Sequence, residues 1–270
     1  MRWLISLFCA CLIWLYSVNS SAIAATTIPS DLTPQQIKAG EKIAKKAFQA
    51  AERGDFARSE TYWTQLVQQF PDNPAVWSNR GNVRIGQYKL AEAIADFDKS
   101  IELAPEYPDA YLNRGIAYEA QKKWQAAIND YDKVLSMDAQ DPLPYNNRGN
   151  AKAGQGQWRD ALADYQQAFT IAPDFAVARG NASLVMYQLG DRNEAIRQMR
   201  NIVRKYPMYS DIRAALAAVL WVEGKQGEAE SNWVAAVGLD SRYQDLDWVA
   251  NIRRWPPTMV EALTKFLTLN

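Results

Sequence analysis

Asn79, Asn113, Asn147 and Asn181 recur at intervals of 34 residues, and each side-chain amide can donate and accept a hydrogen bond at once. A row of such groups suits an extended peptide backbone. Arg80, Arg114 and Arg148 follow three of these asparagines, and Asp96, Asp130 and Asp164 stand 16 residues further on. Where the arginine is missing, so is the aspartate: Ala182 goes with Gln198, Leu216 with Asn232 and Lys46 with Tyr62. This internal covariation favours three structural ion pairs. Removing one partner of such a pair, if partly buried, would strand the other charge at a cost of about 3–5 kcal/mol. The alternative is three solvated pairs worth at most about 1 kcal/mol each.

The remaining inventory argues against catalysis. There is no histidine, and the only two cysteines, Cys9 and Cys11, lie in an apolar run at the start of the chain. A His-dependent triad, a thiolate nucleophile and an ordinary zinc site are therefore out of reach of the rest of the sequence. Aspartates and glutamates fall on repeat faces or expected helix termini, and no glycine-rich phosphate loop follows a strand pattern. The expectation is a non-enzymatic protein without cofactor or metal. Thirty basic residues balance thirty acidic ones, so no net field draws the chain to nucleic acid or an anionic membrane face.

The elements that position these groups come from the same period. Extending the 34-residue frame without insertion divides residues 40–243 into six units, 40–73, 74–107, 108–141, 142–175, 176–209 and 210–243. Position eight is always small: Ala47, Gly81, Gly115, Gly149, Ser183 and Ala217. So is position twenty, with Ser59, Ala93, Ala127, Ala161, Ala195 and Ala229. Position twenty-four holds the large wedges Trp63, Phe97, Tyr131, Tyr165, Met199 and Trp233. Proline closes four units at Pro71, Pro105, Pro173 and Pro207, and Gly54, Gly156, Gly190 and Gly224 mark a mid-unit turn. Two helices per unit follow.

On these residues the sequence resembles the tetratricopeptide repeat family. The resemblance implies an all-α, right-handed superhelical solenoid of six 34-residue helix-turn-helix units. Units one, five and six depart from the pattern, as terminal units do. Arg179 and Arg213 replace the aromatic of Trp77, Tyr111 and Tyr145, and Arg192 and Gln226 replace that of Trp124 and Trp158. In this family the first helix of each unit lines a concave face, so the four asparagines would form a ladder along a peptide-binding groove. That ladder is similar to the one in the repeat region of O-linked N-acetylglucosamine transferase, which holds substrate main chain; no transferase domain accompanies it here. Asn82, Asn146, Asn150, Tyr187 and Trp221 would share the groove. The bland alternative is asparagines that bond locally within a helix pair. The lysines and arginines of a carboxylate clamp are missing from the inner positions, which instead carry residues such as Ala75, Asp109, Leu112 and Leu143.

The ends of the chain lie outside the repeats. Arg2, the apolar Trp3–Tyr16 stretch and Ala22-Ile23-Ala24 read as a signal peptide over residues 1–24, because the apolar run is several residues short of the roughly 20 that span a bilayer. Residues 25–39 read as a lead into the first helix. Residues 244–270 carry amphipathic spacing interrupted by Arg253-Arg254-Trp255-Pro256-Pro257, and are expected to form helices capping the exposed end, with Trp248 and Trp255 in the cap. The other reading makes those two tryptophans docking anchors.

Together these features describe an exported scaffold or adaptor, in a periplasm or thylakoid lumen, that holds a protein or extended peptide. The cap resembles that of exported, lumenal repeat proteins of cyanobacteria and chloroplasts, some tied to assembly of membrane complexes. A self-associating structural protein and a noncatalytic accessory subunit of an envelope enzyme are the alternatives.

Overall fold

The computed structural model describes residues 33–268, so the expected signal segment and Cys9 and Cys11 lie outside the described residues. The described residues form α-helices with no strand. Contacts divide the chain into two compact units, with the boundary between Met137 and Asp138. The first contains α1 (Pro34–Glu52), α2 (Phe56–Gln69), α3 (Pro74–Gly86), α4 (Leu90–Leu103), α5 (Pro108–Ala120) and α6 (Trp124–Met137). The second contains α7 (Pro142–Gly154), α8 (Trp158–Ile171), α9 (Ala176–Gln188), α10 (Arg192–Lys205), α11 (Ser210–Val222) and α12 (Gln226–Leu239). A 3-10 turn (Ser241–Gln244), a π turn (Trp248–Ile252) and α13 (Pro257–Thr268) complete it.

Helix starts follow local chemistry. Pro34, Pro74, Pro108 and Pro142 sit in the first turn, where the missing N–H has no intrahelical partner to lose. Asn73 and Asp141 accept hydrogen bonds from the backbone N–H of Ala75 and Leu143, and Thr33 forms a reciprocal capping box with Gln36. Between the helices of each pair, one residue adopts the left-handed conformation. It is glycine at Gly54, Gly156, Gly190 and Gly224, but Tyr88 and Lys122 take the same positive φ, 60° and 58°. A glycine-based reading of the mid-unit turn misses these two because their strain, roughly 1–2 kcal/mol for a side-chain-bearing residue, is overridden by the flanking packing.

Within a pair, small and large residues meet as their spacing requires. A Cβ added at Gly81, Gly115 or Gly149 would lie 2.7, 2.6 or 2.7 Å from the ring of Phe97, Tyr131 or Tyr165 of the facing helix. Those rings are almost wholly buried, as are all six small residues at position twenty. The arginines that replace position-four aromatics have a clear role. Trp77 donates its indole N–H to the Pro71 carbonyl at 2.7 Å, and Arg179 and Arg213 donate Nε to the corresponding carbonyls of Pro173 and Pro207 at 2.8 and 2.6 Å. The substitution changes the donor and keeps the bond.

A charged cluster ties α2 to the end of α3. Glu60 accepts from Arg84 Nε at 2.8 Å, Gln87 Nε2 at 2.8 Å and Lys89 Nζ at 2.6 Å. Burial pushes this carboxyl up, but the bonds from Lys89, Arg84 and Gln87 outweigh it and hold the pKa at about 2, from an ordinary 4.5. A carboxyl depressed in the folded chain stabilises it above the unfolded value, and that contribution disappears as pH falls from about 4.5 through about 2. With solvent screening its size is about 1 kcal/mol. Melting temperatures of wild type and Glu60→Gln measured from neutral pH downward should therefore converge in that acid window. A gap that stays constant with pH would contradict this account.

Candidate functional site

The three arginine–aspartate pairs lie inside their own helix pairs. Arg80 Nε and Nη2 reach the two Asp96 oxygens at 2.9 and 2.7 Å. Arg114 grips Asp130 at 2.9 and 2.6 Å, and Arg148 grips Asp164 at the same distances. The aspartate side chains are 3%, 6% and 6% exposed, which separates them from surface pairs. Each guanidinium also stands over the aromatic ring three residues before it: Arg80 over Trp77, Arg114 over Tyr111 and Arg148 over Tyr145, at 5.0–5.5 Å. Asp96 additionally holds Arg84 at 2.8 Å, and Asp164 holds Lys152 at 2.7 Å.

The asparagine row is less open than a ladder facing a groove would be. Asn113, Asn147 and Asn181 are 4%, 9% and 6% exposed, and only Asn79 is half-buried. In the second compact unit these amides bond one another. Asn181 Nδ2 donates to Asn146 Oδ1 and Asn150 Oδ1 at 3.1 and 3.2 Å, Asn146 Nδ2 donates to Asn147 Oδ1 at 3.2 Å, and Tyr165 OH donates to Asn150 Oδ1 at 2.9 Å. Position six here turns toward the neighbouring first helix, and the local bonding reading describes it better than the groove reading.

The C-terminal segment changes the site further. Asp211, in the first turn of α11, accepts on Oδ1 from Tyr243 OH, Arg253 Nε and Trp255 Nε1, each at 2.9 Å. Its Oδ2 takes Arg253 Nη2 at 2.5 Å, and the same nitrogen donates to Asn181 Oδ1 at 3.0 Å. Thr258 bonds Gln188 through N and Oγ1 at 3.0 and 2.9 Å, and α13 packs on α9 and α11. Phe266 meets Trp221 edge-on at 5.2 Å and Trp233 at 5.0 Å. Asn181, Tyr187 and Trp221 are thus not free groove residues: Asn181 and Trp221 are engaged by the C-terminal segment itself, and Tyr187 is only 4% exposed. Nor does the cap sit only over the last helix, because it lies along the first helices of two pairs. Trp248 and Trp255 are 7% and 4% exposed and stack around Tyr243, which removes them as docking anchors.

Asp211 and its donors Tyr243 and Arg253 escaped the sequence reading. The available signal was a first-turn aspartate, which ordinarily reads as a helix-dipole partner, and the paired arginines before Trp255.

The first compact unit offers a different face. α3 and α5 pack on each other and carry Asn79 and Asn82, three residues apart, and Asp109 and Asn113, four apart, so each couple shares one helix face. Asn82 Oδ1 and Asn113 Oδ1 are buried and accept no hydrogen bond. Asp109 is half-exposed, and the Tyr107 phenol beside it has its pKa pushed up by burial and then by that carboxylate. Among the described residues no group of three or more acidic or metal-ligating side chains could hold a metal ion, and no helix is long and apolar enough to cross a membrane.

Family models match this architecture: one described as tetratricopeptide repeat over residues 108–141, one as TPR repeat over 84–122, and another as tetratricopeptide repeat over 152–219. No curated protein matches the chain by sequence. A tetratricopeptide repeat protein from Parabacteroides merdae ATCC 43184 is similar in structure at 17% identity and a TM-score of 0.62, over 86% of this chain and all of that one. A thermophilic TPR protein of Thermus thermophilus aligns at 16% and 0.57, over 67% and 99%. YrrB, described as a TPR protein with an unusual peptide-binding site, aligns at 17% and 0.53, over 75% and 97%. At these identities the likeness is one of fold. The matched stretches, within residues 84–141 and 152–219, and the helix pairs built on them identify tetratricopeptide repeats in this chain.

Proposed function

We propose that the chain is a non-catalytic scaffold that holds a protein or extended peptide along the face formed by α3 and α5, in an exported compartment and in the service of assembling a larger complex. The tetratricopeptide repeat is in general a non-catalytic interaction module, and YrrB, of the same fold, is described as having a peptide-binding site. The carrying observation is the contrast between two first-helix faces. On α9 and α11 the amide of Asn181 is satisfied by Asn146, Asn150 and Arg253, whereas on α3 and α5 the amide oxygens of Asn82 and Asn113 have no donor. An unsatisfied buried acceptor costs about 1–3 kcal/mol, a cost that a bound donor would remove. The export part of the reading rests on the apolar Trp3–Tyr16 stretch and the Ala22-Ile23-Ala24 pattern.

Hydrogen bonds alone would not carry affinity. Each neutral one nets about 0.5–1.5 kcal/mol, and micromolar binding needs about 8 kcal/mol, so side-chain recognition must supply the rest. The test is a crosslinking pull-down from the native envelope, comparing wild type with an Asn79→Ala, Asn82→Ala, Asn113→Ala variant of matched helicity and melting. Partners that vanish from the variant support the α3–α5 face. An unchanged partner set overturns it.

A further inference from the structure

The second compact unit shows how a first-helix face of this chain takes an arginine. Arg253 spans both oxygens of Asp211 and donates to Asn181 as well. Asn181 is the sixth residue of its 34-residue unit, Tyr209 the last, and Asp211 the second residue of the next unit. That triplet occurs once more, as Asn79, Tyr107 and Asp109, displaced by three whole units. The other registers break the triplet: Lys45 pairs with Ala75, Asn113 with Leu143 and Asn147 with Val177, and Ala215 lacks the amide that would face Asp245.

Resting on the scaffold reading, we infer that Asn79 and Asp109 form a second guanidinium site, which takes an arginine of an extended partner peptide carrying an aromatic N–H or O–H donor two residues further on. The chain's own Arg253 and Trp255, both on Asp211, are the template for that ligand. The helices correspond, since α3 packs on α5 as α9 packs on α11. The charges correspond too. Asp96, Asp130, Asp164 and Asp211 each hold a guanidinium, but among the described residues no lysine or arginine forms an ion pair with Asp109. A guanidinium placed there would be bound by an anionic carboxylate and a neutral amide oxygen, the combination that charge-assisted, forked recognition requires.

The experiment titrates the full chain with a labelled synthetic peptide of residues 250–258, Ala-Asn-Ile-Arg-Arg-Trp-Pro-Pro-Thr, and with the same peptide bearing glutamine at both arginines. Saturable binding is expected, weakened about tenfold by Asp109→Asn or Asn79→Ala in chains of wild-type helicity, and lost with the glutamine peptide. Absence of saturation overturns the inference. So does equal binding to wild type and Asp109→Asn, the outcome if the peptide only displaces the resident segment from Asp211. Failure here with envelope partners still dependent on Asn79 and Asn82 would leave the scaffold reading standing and remove arginine as the recognised group.

Discussion

Asp211→Ala is expected to release the C-terminal segment from α9 and α11 and to lower the stability of the second compact unit by about 3–5 kcal/mol. The size follows from burial and from the number of donors left behind. The Asp211 side chain is 5% exposed and that of Arg253 22%, so solvent replaces little of what the substitution removes. Four bonds disappear, from Tyr243, Trp255 and two nitrogens of Arg253. A guanidinium then keeps only the amide oxygen of Asn181 as a partner, while the phenol and indole lose theirs inside an apolar cluster. Asp211→Asn should cost less, because one amide oxygen still accepts. Two observables separate release from general loosening: trypsin should cut after Arg253 and Arg254 at a markedly higher rate, and Trp255 emission should move to the red while far-ultraviolet helicity changes little. Wild-type cleavage rates together with an unshifted melt would sink the assignment of Asp211 as the anchor.

The contrast between Asp211 and the repeat positions explains what could be read in advance. Positions eight, twenty and twenty-four are local partners within one helix pair, and six copies of the same contact make their spacing conspicuous. Gly115 and Tyr131 need no third element to explain them. The arginine–aspartate pairs are visible for the same reason, since both members come and go together within a unit. Asp211 meets Arg253 and Trp255, 42 and 44 residues away in a segment that does not repeat, so no period points to them, and Tyr243, the last residue of the sixth unit, has an aspartate partner that its period alone does not name. The asparagine row falls between these cases. Its register is plain, but whether position six faces solvent or the adjacent helix is decided by how closely the first helices pack, and the answer is burial for Asn113, Asn147 and Asn181. Tyr88 and Lys122 show the same limit, because they turn between paired helices in a conformation that their side chains disfavour while those side chains stay exposed.

Asp96→Ala should destabilise the first compact unit by a similar amount, about 3–5 kcal/mol, and more than the loss of either arginine's exposed contacts would suggest. Asp96 is the point where two cations converge: Arg80 holds both its oxygens, and Arg84 shares Oδ2. Arg80 has little else, a long contact to Thr64 Oγ1 at 3.5 Å and the ring of Trp77, and its side chain is 11% exposed. Arg84 retains Glu60 and the Glu92 carbonyl, so the larger share of the cost belongs to Arg80. This reasoning makes the double variant informative. With Arg80→Met added, the stranded cation is gone and an apolar side chain can fill the space along Trp77, so Asp96→Ala with Arg80→Met should be more stable than Asp96→Ala alone. Urea unfolding of wild type, both single variants and the double gives the coupling directly. A loss of under about 1 kcal/mol for Asp96→Ala would reduce the pair to a solvated surface contact, and a double variant no better than the single would mean that Arg80 is not the group left without compensation.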